Sequence, residues 1–491
     1  MRAGAGTGTE GAAATGDEDA RLALPVVAVV VMLLLPMGMN IGPLAMSPMR
    51  ALCIAMAPVL LLRLVQGHYG RILPPDWLVV LHVAWMGMSF LMTTPEYAVS
   101  QTGSVGLELI GGYMIARAYI RTPAQFQRFC RLLGWVVCLT IPAALWEAKT
   151  SQPIIGLTLQ KLPGLTDLFT VKPDIRWGMD RVQATFAHPI HYGLFCSVCF
   201  SMVVVGLKGT IGPARRAALA LAIGGAGILS LSSGGMLAIA LQLGLIGWAA
   251  VTRAVPARWR ILAGGFAVLY VLIDLASNRA PIHVFMSYAT FSAHTAYWRL
   301  LIFEYGWDNV LANPIFGLGL ADWARPAWMH TDSVDNYWLL QAMRHGLPGL
   351  ATIAGAWLWT MVVVGRRPFA EGSRSWAMRR AFLFSAAGLA FTLATVHAWG
   401  VLTVFCALFL GSGAWMATAT EEEEGSAAAT ATTDPRRAPG ATRTHAPVGP
   451  RPARAPVPQR AAPVFARGTV PKADRAAMPT ARFGARHMRR V

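Results

Sequence analysis

Long apolar stretches alternate with short polar connections along most of this 491-residue chain. Each stretch is close to the roughly 20 residues a helix needs to cross a hydrocarbon core. Twelve stand out: Leu22–Met39, Leu44–Leu64, Trp77–Met92, Gly103–Ile120, Phe129–Ala148, Ile190–Leu207, Ala217–Ser232, Gly235–Val251, Ile261–Ala276, Leu347–Val364, Ala381–Thr395 and Trp399–Ala417. Tight turns at Ser232–Gly235 and His397–Gly400 separate two of the pairs. The pattern predicts an all-α integral membrane protein of about 12 transmembrane helices.

The polar connections fall into two alternating sets. One is basic, with Arg63 and Arg71, then Arg117, Arg121, Arg128 and Arg131, then Lys208, Arg215 and Arg216, then Arg253, Arg258 and Arg260, and finally Arg366, Arg367, Arg374, Arg379 and Arg380. The other, near Pro36–Pro43, Thr93–Thr102, Ser232–Gly235 and Val396–Gly400, contains no Lys or Arg. The positive-inside rule assigns the basic set to the cytoplasm and with it both termini. Two long connections, 149–185 and 277–346, then face outward, and the larger lies between helices 9 and 10.

Composition agrees. The chain is 55% hydrophobic and 13% charged, far from the roughly 25% charged of soluble domains. A net charge of +18 would suggest nucleic acid in a soluble protein, but its confinement to one set of connections explains it without such a partner. Met1–Asp19 is small, polar and partly acidic, unlike a cleavable signal peptide, so the first span is expected to remain in the membrane and residues 1–21 to form a disordered cytoplasmic N-terminus. From 418 onward, Glu421–Glu424 and then Ala, Pro, Thr and Arg offer too little apolar surface to fold; a disordered cytoplasmic tail is expected, able to touch anionic lipid headgroups. The polytopic membrane domain is thus 22–417. The six cysteines, including the Cys196/Cys199 pair, lie in or next to apolar spans and read as small buried hydrophobes.

In the larger outward connection, Tyr297–Asn309 sets Trp298, Leu301, Ile302 and Tyr305 on one helical face and leaves Arg299 pointing elsewhere. Asn313-Pro314 ends that helix, and Gly317-Leu-Gly319 makes a flexible turn. A second helix is expected from Thr331–Ser333 to Gly346, with Asp335 and Asn336 in its first turn.

The run from Arg299 through Asn313-Pro-Ile-Phe-Gly317-Leu-Gly319, followed by Asp335-Asn336 and, nine residues further, Gly346-Leu-Pro-Gly349, resembles the bacterial O-antigen ligase and O-antigen polymerase superfamily. The upstream Arg181-Val-Gln-Ala-Thr-Phe-Ala-His188-Pro-Ile-His191-Tyr-Gly is similar to that family's entry into a central helix, and Leu229-Ser-Leu-Ser-Ser-Gly-Gly235 to its helix junction. Together these span about 181–349. Two departures stand out: Asp335 replaces the histidine characteristic of the ligases, and Ser233 replaces the junction arginine. Aspartate at the first position is closer to polymerase-like members that build exopolysaccharide.

The resemblance implies a bacterial inner-membrane enzyme that moves a glycan from a polyprenyl diphosphate to a sugar hydroxyl on the periplasmic face. It needs no metal or cofactor. Its partners would be the polyprenyl-diphosphate-linked glycan, membrane lipids, and polysaccharide chain-length or export proteins; nucleic acid is not among them. A diphosphate leaving group calls for arginine, whose planar fork stays charged and grips phosphate oxygens in pairs. Arg181, Arg299 and Arg279 are the candidates, the plainer alternative being ion pairs with Asp180, Glu304 or Asp308. Asp335 is the candidate to orient or deprotonate the acceptor hydroxyl, unless it only caps its helix. His330 is the alternative base, with His345 behind it. His188 and His191 share a helical spacing but lack a third metal ligand, so an acceptor-binding or structural pair is expected; His188 and Asn336 count as candidate substrate contacts. The tryptophans and tyrosines of the loop read mainly as an interfacial belt. Glu108 and Glu147 are the main carboxylates within the spans and candidates for function by position. Two rival classes remain. A lipid-linked glycan transporter or flippase would place its polar groups near the midplane in repeated halves, and no such repeat is visible; a noncatalytic assembly subunit would not need the loop charges.

Overall fold

The computed structural model describes residues 21–419 apart from 36, 42–43, 162–165, 168–174, 279–280, 282–283 and 285–292. Arg279 and nearly all of the two terminal segments expected to be disordered lie outside the described residues. The fold is mostly helical. Helices α1 (Leu24–Met32), α2 (Pro48–Val65), α3 (Pro74–Thr93), α4 (Pro95–Gln101), α5 (Leu107–Tyr119), α6 (Pro123–Thr150) and α7 (Ile154–Leu159) precede the first long connection. Then come α8 (Pro189–Val204), α9 (Pro213–Leu229), α10 (Ser233–Val251) and α11 (Arg258–Ala276). After them stand α12 (Ala293–Ala312), α13 (Tyr337–Arg366), α14 (Arg374–Leu393) and α15 (Val401–Ser412). Many begin with proline, whose fixed φ and missing N–H suit the first helical position.

Of these, α2, α3, α6, α10, α11 and α13 are long and apolar enough to cross a membrane, and α8 and Val401–Ala417 are shorter apolar helices. The first expected stretch, Leu22–Met39, is helical only to Met32, because Gly, Asn and Pro interrupt the run that follows. There the backbone forms β1 (Met37–Ile41), which pairs antiparallel with β2 (Leu44–Met46) and with β3 (Thr166–Asp167). A second hairpin joins β4 (Ile175–Arg176) to β5 (Met179–Asp180). Trp177 (φ 54°) and Gly178 (φ 74°) give its turn the left-handed backbone that closes a two-residue hairpin.

Small residues set the closest helix crossings. A Cβ on Gly112 of α5 would lie 2.5 Å from the Val404 carbonyl oxygen of α15, and one on Gly411 would lie 2.3 Å from that of Tyr113. Close backbone approach of this kind is how helices associate where lipid supplies no hydrophobic drive. No residue of α11 is buried, and Leu269, Val271, Leu272 and Leu275 are all exposed, as for a helix facing lipid.

Two carboxylates inside the bundle, Asp76 and Glu108, are paired with arginines. Asp76 accepts from Tyr113 Oη (2.6 Å), Arg117 Nε (3.2 Å) and the Leu73 amide (2.8 Å), while Arg117 also donates to the Tyr69 and Arg71 carbonyls (3.1 and 3.0 Å). Glu108, one of the two carboxylates singled out above, is ion-paired with Arg50 at 2.8 Å. All six cysteines are unpaired thiols.

Candidate functional site

Four connections and one helix converge at one place, and each contributes a polar or aromatic group. The β4–β5 hairpin brings Arg176 and Arg181 together. Both guanidiniums anchor on the turn between α9 and α10: Arg176 Nη1 donates to the Leu231 carbonyl (2.9 Å) and Arg181 Nε to the Ser230 carbonyl (3.2 Å). That turn is tight because Leu231 has φ 46° and because it packs on Gly193 of α8, where a Cβ would meet Ser230 Oγ at 2.5 Å.

Glu147, near the end of α6, fixes the segment after Arg181. Its carboxylate oxygens accept from the Gln183 and Ala184 amides at 3.0 and 2.8 Å, and it is buried. These bonds hold a loop in which Ala184 takes the unfavourable φ of 55°. Glu147 thus belongs to the site through the backbone that carries Arg181.

Arg299 is buried, only 8% exposed. The sequence pattern turned it away from the packed face of its helix; the structure places it on that face. Ala296, Arg299, Ile302, Gly306 and Val310 form the buried stripe of α12, whereas Trp298, Leu301 and Tyr305 are half-buried. The reason is Gly306, against which α13 packs so closely that a Cβ would lie 2.8 Å from Leu339 Cδ2. Arg299 Nε and Nη1 bond to nothing among the described residues. Burial lowers its affinity for a proton; the Asp335 carboxylate works against that, and Arg176 and Arg181 reinforce it. Arg176, Arg181, Arg299 and Asp335 are therefore within electrostatic reach of one another.

Asp335 itself accepts from Ser333 Oγ (3.1 Å) and lies one residue before the cap of α13. The expected start at Thr331–Ser333 is corrected: Asn336 caps the helix, its side-chain oxygen accepting from the Leu339 amide at 3.1 Å. Residues 331–336 have no regular structure, and the Asp332 carbonyl is taken by Trp323 Nε1 (3.1 Å). Gly346 interrupts α13 as expected, with φ 67° and ψ −177°, and a Cβ there would be 2.0 Å from the Ile315 carbonyl oxygen. Gly317 and Gly319 have φ 69° and 61°, and their amide N–H groups and that of Leu318 dock on neighbouring carbonyls, Leu318 on Met343 (2.7 Å) and Gly319 on Arg344 (3.0 Å). The turn that looked flexible is clamped to the end of the first part of α13.

His188 caps α8, its Nδ1 accepting from the Ile190 amide at 3.1 Å. It shares the connection between α14 and α15 with His191: the Trp399 ring centroid lies 5.8 Å from His188, 3.9 Å from His191 and 5.7 Å from His397. The Tyr337 amide donates to the Val396 carbonyl (3.1 Å), which joins this connection to the start of α13. Among the described residues no group of three or more His, Cys, Asp or Glu is placed to hold a metal ion. His345 is buried, its carbonyl held by Trp85 Nε1 (2.9 Å), a packing position. His330 is exposed and lines a separate cleft.

Residues 217–354 match the family model described as O-Antigen ligase. The chain carries an O-antigen ligase/polymerase superfamily domain. No curated protein gives a significant match. The ligase/polymerase domain contains the Ser230–Ser233 turn, Arg299, Asp335 and Asn336, and supports glycosyl transfer of the O-antigen ligase/polymerase type by a multi-pass membrane protein. Arg181 and His188 lie upstream of the matched residues. Where the resemblance leads one to expect an arginine at the junction, Ser233 stands, and the guanidiniums at this turn come instead from Arg176 and Arg181. Arg176, His397 and Trp399 were not singled out from the sequence. A basic residue beside Trp177 in an outward loop, and a His and a Trp inside a five-residue connection between apolar spans, were the available signals.

Proposed function

We propose that the protein is a glycan polymerase of the inner membrane, ahead of a ligase. On the periplasmic face it joins repeat units from a polyprenyl-diphosphate-linked donor, without a metal. The observation that carries this reading is Arg299, a buried guanidinium with two nitrogens, Nε and Nη1, that have no partner among the described residues, beside Arg176, Arg181 and Asp335. Burying a cation whose donors are unpaired is costly, and the arrival of a phosphate oxyanion removes the cost.

In the reaction the acceptor hydroxyl attacks the anomeric carbon of the donor sugar, and the bond from that carbon to the diphosphate oxygen breaks. The electron pair leaves on the diphosphate, where the arginines meet the developing charge. The hydroxyl proton passes to Asp335, a carboxylate strong enough for a step in which the leaving group departs readily. Support for transfer over transport comes from the gathering of these groups at connection ends rather than within the spans.

Arg299→Ala and Asp335→Ala should each cause single lipid-linked repeat units to accumulate, with polymer falling at least tenfold at unchanged protein level. Normal polymer in both variants removes these residues from the mechanism. In a strain lacking the protein, unpolymerised units on the outer leaflet indicate polymerase, finished but unattached chains indicate ligase, and units trapped inside indicate a flippase.

A further inference from the structure

Beside the arginine cluster lies a cleft of about 320 Å³, within the ~300–1,000 Å³ of ordinary small-ligand sites. Its walls are Leu318–Trp323 and Arg325, alternate residues of the segment before α13, and the face of α13 that carries Arg344. His330, Asp332 and Val334 face it, whereas Asp335, next in the chain, acts on Arg299. One short segment therefore separates the cleft from the carboxylate proposed to meet the acceptor hydroxyl.

The cleft has the chemistry of a saccharide site. Asp322, His330 and Asp332 are exposed and can exchange hydrogen bonds with hydroxyls. Its cations differ in a telling way. Arg325 is occupied, ion-paired with Asp322 and bonded to the Met329 and Trp323 carbonyls. Arg344 makes no side-chain hydrogen bond or ion pair among the described residues, although it is half-buried. Asp322 and Asp332 line the same cleft but form no ion pair with it among the described residues, and it bears electrostatically on His345 and His397. A planar guanidinium left in this state is matched by a carboxylate, which it can grip through two parallel bonds.

We propose that this cleft holds the acceptor end of the glycan and that Arg344 selects a sugar bearing a carboxylate, a uronate or a similarly acidic unit. The proposal rests on the reading that Asp335 meets the acceptor hydroxyl. It adds that the polymer is acidic and that donor and acceptor are held by separate sets of arginines.

The test is binding of trigalacturonate, maltotriose and inorganic phosphate to the purified full-length protein in nanodiscs. Trigalacturonate should bind at least tenfold more tightly than maltotriose. Arg344→Gln should erase that preference and Arg344→Lys should keep part of it. Arg299→Ala should leave trigalacturonate binding unchanged while it lowers polymer in cells, so a failure of the donor reading shows in that variant's polymer and a failure of the present one in the binding preference. If Arg344→Gln does not fold, Ala321→Trp, which fills the cleft from an exposed wall position, should abolish binding instead. Equal affinity for the two sugars, a preference that survives Arg344→Gln, binding that survives Ala321→Trp, or displacement by phosphate at matching concentration each overturns the proposal.

Discussion

Replacing Glu147 with alanine removes both acceptors that hold the backbone after Arg181. The Gln183 and Ala184 amides, now bonded at 3.0 and 2.8 Å, would be left buried without partners. Each such loss costs about 1–3 kcal/mol. The strain at Ala184 adds to the drive, because a non-glycine residue at φ 55° stays there only while its surroundings hold it. The two losses together come to about 2 kcal/mol at the least, so local opening of the loop should become at least about 30-fold more frequent, at about 1.4 kcal/mol per factor of ten. Hydrogen exchange followed by mass spectrometry on peptides covering Gln183 and Ala184 reads this directly. Glu147→Gln keeps one acceptor and turns an NH₂ toward the second amide, so its effect should be intermediate. If the loop matters because it aims Arg181 at the diphosphate, the apparent KM for lipid-linked donor should rise in the same order, with kcat less affected, since Arg181 grips the diphosphate before and during transfer. Unchanged exchange at these two amides in Glu147→Ala would refute the structural step. Faster exchange with an unchanged KM would refute the link to Arg181.

Other expectations follow from groups described above. Asp76→Ala leaves Arg117 buried without its carboxylate, which should cost about 3–5 kcal/mol and lower the yield of folded protein in detergent, read by size-exclusion profile. Gly346→Ala places a methyl group 2.0 Å from the Ile315 carbonyl oxygen at a φ of 67° and should lower the thermal unfolding temperature or prevent folding; a wild-type melting curve would contradict the geometry. His397 is pushed down to about 4 by burial, with Arg344 adding to the effect, whereas in the unfolded chain it titrates near 6.5. The folded state thus refuses a proton that the unfolded chain accepts. Its stability is full above pH 6.5 and falls as the pH drops toward 4, by about 3 kcal/mol at most. His397→Phe should make the melting temperature fall less between pH 7 and pH 4.5 than it does in the wild type.

Helix positions were readable from the chain because spans declare themselves by unbroken hydropathy. The helices α3, α6, α10 and α11 lie where the apolar runs put them. Errors arose where a local feature outweighed hydropathy. Three residues, Thr331, Asp332 and Ser333, could each have capped α13, yet Asn336 does so, because Trp323 ties the Asp332 carbonyl into an irregular segment. Trp298 and Tyr305 dominated the apparent apolar face of α12, but contact with α13 is decided by the absence of a side chain at Gly306, and that turns Arg299 inward. A helical wheel weighs what each residue carries and cannot weigh how closely the neighbour comes. Arg181, Arg299 and Asp335 were legible as chemistry in a recurring order. Arg176 was not, since its importance comes from a hairpin too short to show a pattern.

What draws these separated segments to one place is the need of helix ends for partners. A carbonyl at the end of a helix in apolar surroundings has no water to bond, and leaving it bare costs several kcal/mol. At the end of α9, the Ser230 and Leu231 carbonyls are met by Arg181 and Arg176, from a loop 49 and 55 residues away in the chain. At the start of α13, the Tyr337 amide is met by Val396, from the connection that also carries His397 and Trp399. The loop that holds Arg181 is itself tied to the end of α6 through Glu147. The bonds that complete these helix ends are therefore the same bonds that bring the candidate cations together. Arg299 stands apart: its helix supplies no carbonyl for Nε or Nη1, and none of the four connections does so either. Among the described residues of the cluster it is thus the guanidinium whose burial the fold itself does not explain, and for that reason it is the residue on which the donor-binding argument stands.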